Sequence, residues 1–123
     1  MLDEEHIAHG RAIRAEVIGH DVIEAVYAAA DDLEIDQQDY VSAYSWGEVF
    51  NRPGLSKQTR LLINIAALAT MGERDTLKNH VRAAIRLGCS PTEIREAIIQ
   101  AGTCAGPIRA AHACRAAAAA LRD

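Results

Sequence analysis

Between Ser56 and Gly72 the chain carries Leu61, Leu62, Ile63, Ile65, Leu68 and Met71, apolar side chains that point in nearly every direction around a helix. A helix apolar all round is buried all round. A chain of 123 residues has room for one such core, so the remaining segments must cover it. The cover they offer is helical. Alanine, the best intrinsic helix former, occurs 24 times, aromatic residues number only five, and no stretch alternates β-branched or aromatic side chains with polar ones. The expectation is an all-α fold: a compact helical bundle of about six to seven helices, forming a single domain over residues 1–123.

Periodicity and punctuation divide the chain into helices. The first runs from about Asp3 to Ile18, with Ile7, Ile13, Val17 and Ile18 as its apolar positions. The second, Asp21 to Ala30, carries Val22, Ile23 and Val26 inward. The third, about Asp36 to Val49, places Tyr40, Val41, Tyr44 and Val49 at helical spacing before Asn51-Arg52-Pro53-Gly54 breaks the chain. Ser56 caps the fourth helix and Gly72 closes it. A fifth extends from about Glu73 to Leu87 and ends at Gly88, in the left-handed conformation that favours glycine. Ser90-Pro91-Thr92-Glu93 has the form of a capping box with proline at the first helical position, opening a sixth helix to about Cys104. Gly106-Pro107 starts an alanine-rich seventh.

Charge and motif content narrow the function. The net charge of −4, with no basic block to neutralise phosphates, argues against a nucleic-acid partner. The acidic start and the lack of an apolar run of about eighteen residues argue against a membrane partner. Cys89, Cys104 and Cys114 form no CxxC and are odd in number, as expected of reduced thiols and a cytoplasmic location. With no HExxH, DxD or Cys/His ligand spacing, no metal is expected.

Two residues resist local explanation. Glu48 lies in the last turn of the third helix, where the macrodipole disfavours a carboxylate by about 0.3–1 kcal/mol. Beside it are the sole tryptophan, Trp46, a helix-weakening Gly47, and Arg52 on a loop stiffened by Pro53. Such local conflicts often mark a site. The competing reading pairs Glu48 with Arg52 on the surface and uses Gly47 to admit a neighbouring helix. His80 is the second residue: with Leu77, Val81 and Ala84 around it, its ring faces a partly buried apolar surface. It is either a core histidine or a titratable group whose ordinary pKa of about 6.5 lies near working pH. His6, His9 and His20 lie near the N-terminus or a loop, and His112 is spaced so that it shares no helical face with Cys114.

The run Tyr44-Ser45-Trp46-Gly47-Glu48-Val49-Phe50-Asn51-Arg52-Pro53-Gly54-Leu55, with Thr59-Arg60, Leu77-Lys78-Asn79-His80-Val81-Arg82-Ala83-Ala84 and Glu93-Ile94-Arg95-Glu96, resembles the carboxymuconolactone decarboxylase family. Gly10, Arg14, Val17 and Gly19 fit its N-terminal pattern. Alkylhydroperoxidase D-like relatives share the histidine helix but use a CxxC seven and four positions before the histidine. Here those positions are Glu73 and Thr76, which disfavours a thiol peroxidase. The chain also departs from the family pattern at Ala105-Gly106-Pro107-Ile108 and at Gly72-Glu73-Arg74-Asp75.

The resemblance implies an alkylhydroperoxidase D-like fold and a cofactor-independent conversion of 4-carboxymuconolactone to 3-oxoadipate enol-lactone and CO2 in aromatic catabolism. The implied partners are a small lactone carboxylate and further copies of the chain, as a homo-oligomer such as a trimer or hexamer. His80 is then the proton donor and Glu48 the carboxylate that orients and charges it. Arg52 anchors the retained carboxylate, with Arg74 and then Arg60 as weaker candidates, and Trp46 borders the substrate. Two other readings stay open: a decarboxylase or isomerase of a different lactone or oxoacid on the same scaffold, and a non-catalytic helical oligomer.

Overall fold

The structure, a computed structural model, describes residues 2–123, and among them it contains helices and no strand. They are α1 (Glu4–Ile18), α2 (His20–Ala29), α3 (Ile35–Tyr40), a π-helix (Val41–Val49), α4 (Lys57–Met71), α5 (Arg74–Arg86), α6 (Pro91–Ala105) and α7 (Pro107–Arg122). The chain gathers into two compact units, one ending at Leu55 and one spanning Ser56–Asp123. None of the described helices is long and apolar enough to cross a membrane.

In the first unit α1 packs on α2 and on the π-helix. Asp3 caps α1, accepting the His6 backbone N–H at 2.9 Å with His6 Nδ1 a further 2.8 Å contact; these donors hold its carboxyl below the ordinary range. The third helix departs from its expected form. It begins as α3, but from Val41 its turns widen, and the Phe50 N–H donates to the carbonyl of Ser45, five residues back, at 3.0 Å. Widening delays the return of each side chain to the same face, so Ser42, Ala43, Trp46 and Phe50 point inward. Tyr40 and Tyr44, expected on the inner face, are 60% and 57% exposed.

In the second unit α4 is packed by α5, α6 and α7. Leu61, Ile65, Leu68 and Ala69 are buried, but Ile63 is 50% and Met71 59% exposed. The expectation that α4 is buried all round fails here because its three neighbours enclose one side of it. The punctuation follows the local chemistry. Ser56 Oγ accepts the Thr59 N–H at 3.1 Å. Gly72 ends α4 at φ +77°, and the Ser90–Glu93 capping box closes with reciprocal bonds of 3.0 and 2.9 Å. On α5, Leu77, His80, Val81, Ala83 and Ala84 form the buried face, against which α7 sets Ala113, Ala116, Ala117 and Ala120.

Two tests follow from this packing. A Cβ on Gly10 would overlap the Ser42 carbonyl, and because the obstacle is backbone no side chain can swing aside. Gly10→Ala should therefore lower stability by about 1–3 kcal/mol or more, seen as a lower urea midpoint. Gly54→Ala, whose Cβ would meet open space, should stay within about 0.5 kcal/mol of the parent. The three cysteines are free thiols. Burial pushes the Cys89 thiol above its ordinary pKa, so at a given pH it carries less thiolate, whereas Cys104 is exposed. Labelling with a thiol reagent at pH 8 should modify Cys104 first and Cys89 only on unfolding; equal rates would contradict this burial.

Candidate active site

The π-helix sets the side chains of the first conspicuous segment. Its backbone lies unusually close to α1: a Cβ on Gly47 would come within 3.2 Å of the Gly10 Cα, so Gly47 does admit a neighbouring helix. With this contact fixed, Trp46 turns inward at 6% exposure and its ring meets Phe50 at a centroid distance of 4.9 Å, tilted by 46°. Glu48, two residues on, faces solvent, and Arg52 follows on the exposed loop, where Asn51 Nδ2 donates to the Gly47 carbonyl at 3.0 Å.

A polar network absent from the sequence reading holds the segment from below. Ser42, fully buried, has its Oγ 2.9 Å from the Tyr27 hydroxyl and 3.2 Å from Arg14 Nη1, which donates to it. The Tyr27 hydroxyl also lies 3.1 Å from Asp39 Oδ1, and the Arg11 guanidinium stacks 3.7 Å from the centroid of the Tyr27 ring. Burial raises the Tyr27 pKa and lowers that of Arg14. The sequence signals for this network are two three-residue spacings, Arg11 with Arg14 and Asp39 with Ser42, each of which places its pair on one helical face.

In the second unit His80 is 8% exposed on the inner face of α5, as its apolar neighbours predict. Arg74 opens the same helix but is exposed, and its Nη2 lies 2.6 Å from His112 Nδ1 on α7. Arg60, half-buried, lies in the first turn of α4. Trp46, Glu48 and Arg52 thus share the end of the first unit, while Arg60, Arg74 and His80 belong to the second. The contact of His112 with Arg74 joins residues 38 apart, beyond the reach of spacing along one helix. A carboxylate, a buried imidazole and several guanidiniums are the groups that acid–base chemistry on an anionic substrate uses.

Comparison with known proteins gives these groups a family. Residues 36–119 match the model of the carboxymuconolactone decarboxylase family. The chain is 36% identical over 106 residues to a 4-carboxymuconolactone decarboxylase of Acinetobacter baylyi, covering 86% of this chain and 79% of that protein. It is 30% identical over 97 residues to a nitrosuccinic acid decarboxylase of Metarhizium robertsii, covering 79% and 68% of the two chains. Over 57 residues it is also 40% identical to an uncharacterised 15.0 kDa protein of Paracoccus denitrificans, covering 45% and 42%. The match spans the π-helix and all of α4 and α5, and with it the chain belongs to the carboxymuconolactone decarboxylase family.

Proposed function

We propose that this chain is a cofactor-independent carboxy-lyase that converts 4-carboxymuconolactone to 3-oxoadipate enol-lactone and CO2. The observation that carries this reading is the 36% identity, over 86% of the chain, to a decarboxylase of that lactone. The chemistry asks for little beyond side chains. The departing carboxylate is vinylogous to the lactone carbonyl, so when the C–CO2 bond breaks its electron pair passes through the ring to the lactone oxygen. A proton then adds at ring carbon and restores the carbonyl. What the protein supplies is a cation for the retained carboxylate, a donor near the developing oxyanion and a general acid.

His80 is assigned the proton donor, with Glu48 the carboxylate that keeps it oriented and charged. Arg52 anchors the retained carboxylate, and Arg74 is the second candidate for that role. Trp46, packed against Phe50 two residues before Glu48, is the residue assigned to border the substrate. The same reading includes assembly into a homo-oligomer, supported by the exposed apolar positions Ile63 and Met71 on α4.

The relative named for nitrosuccinic acid favours a second reading, a decarboxylase of another small dicarboxylic acid. There a nitro group, adjacent to the departing carboxylate, takes up the electron pair. Purified protein incubated separately with the two acids, with CO2 release followed, separates the readings. The first expects turnover of the lactone, with His80→Ala and Glu48→Gln each lowering kcat/KM by about 10²–10⁴-fold. Turnover of nitrosuccinic acid alone would install the second, and CO2 from neither would overturn both.

A further inference from the structure

Beside the buried alanine face of α7, on the edge that borders α5, stand three side chains at three-residue spacing, Arg109, His112 and Arg115, each step rising about 4.5 Å along the helix. Opposite them α5 presents Arg74 and Lys78, four residues apart and again on one face. Two adjoining grooves lie between these rows. One, of about 310 Å³, is lined by Gly72, Arg74, Ile108, Arg109 and His112. The other, of about 210 Å³, is lined by residues including Arg74, Lys78, His112, Arg115 and the single carboxylate Asp75.

Four permanent or near-permanent cations therefore meet along one cleft of a chain whose net charge is −4. Among the described residues none of the four forms an ion pair with a carboxylate. Arg74 instead donates to a histidine ring nitrogen, a weaker acceptor than a carboxylate oxygen. Gly72 contributes by having no side chain: at φ +77° it lets the Arg109 guanidinium lie where a Cβ would stand. Gathering like charges without counter-charges is unfavourable unless an anion completes the site.

We propose that the α5–α7 cleft is a binding site for a small dicarboxylate. Arg74 and His112 belong to both grooves, with Arg109 at one end and Arg115 and Lys78 at the other, so two carboxylates joined by a short carbon chain reach both ends at once. A lone phosphate or monocarboxylate reaches one. Ile108, Ala116 and Ala119 offer apolar contact for the intervening carbons. The site rests on the decarboxylase reading only for the identity of its physiological ligand, which is either the substrate or a separate dicarboxylate effector.

Calorimetric titration of the whole chain with succinate, acetate and inorganic phosphate tests the site without turnover. Succinate should bind at least about tenfold more tightly than either of the others, and Arg109→Gln and Arg115→Gln should each weaken it about tenfold. Arg95→Gln, on α6, should leave it unchanged, and unchanged thermal melts of the variants would show that these exposed substitutions spare the fold. Equal affinity for the three anions, or succinate binding indifferent to both arginines, overturns the proposal even if the lactone is decarboxylated. Succinate binding in a protein that decarboxylates nothing upholds the cleft and removes the activity. Where both hold, competitive inhibition by succinate identifies the substrate as the ligand, and binding without competition identifies an effector.

Discussion

The contact between Gly10 and the backbone at Ser42 is the constraint on which the first unit depends. Two helices whose backbones touch there leave no room for a side chain on Gly10 and only a tight fit for one on Gly47, and their separation fixes how the π-helix is turned. The Ser42 hydroxyl, enclosed by that approach, is satisfied by Tyr27 and Arg14; leaving it without them would cost about 1–3 kcal/mol. From this phase follow the inward Trp46, tilted against Phe50, and the outward Glu48. The glycine that appears as a local defect in a helix is what sets the aim of the carboxylate next to it.

The second unit is organised differently, around side chains rather than touching backbones. Leu61, Ile65, Leu77, Val81, Ile94 and Ile98 are buried almost completely, and alanines on α7 let that helix lie close against them. His80 stands within the same buried face, where close packing restrains its rotamers. On the far side of Arg74 the polar surface gathers cations instead of pairing them, so one helix, α5, carries a buried imidazole and one wall of a basic cleft.

Helix ends were legible in the amino-acid sequence because their chemistry is local. Ser56, Gly72 and the Ser90–Glu93 pair act within one turn of chain, and each ends or begins a helix as its residue type dictates. The all-α fold and the burial of His80 follow from alanine content and apolar spacing in the same way. The inner face of residues 41–49 was not legible, because a regular α-helical period puts Tyr40 and Tyr44 inside and only the non-local touch of Gly10 selects the wider turn. The same limit hid the Tyr27–Ser42–Arg14 network and the Arg74–His112 contact, whose members lie 15, 28 and 38 residues apart. The partial exposure of one α4 face was hidden by composition, which shows that a helix is apolar but not how many neighbours a single chain can bring to it.

A decarboxylation in which the substrate holds its own electron pair makes proton delivery the step where the protein exerts most control. That places the central claim on His80. It is tested most directly by running the reaction on 4-carboxymuconolactone in D2O with the parent protein and with His80→Asn, and locating deuterium in the product by NMR. The parent should place one deuterium on one face of the ring carbon, and the variant should lose both most of its rate and that facial selectivity. A His80→Asn protein with parental rate and the same single-face labelling would contradict the account.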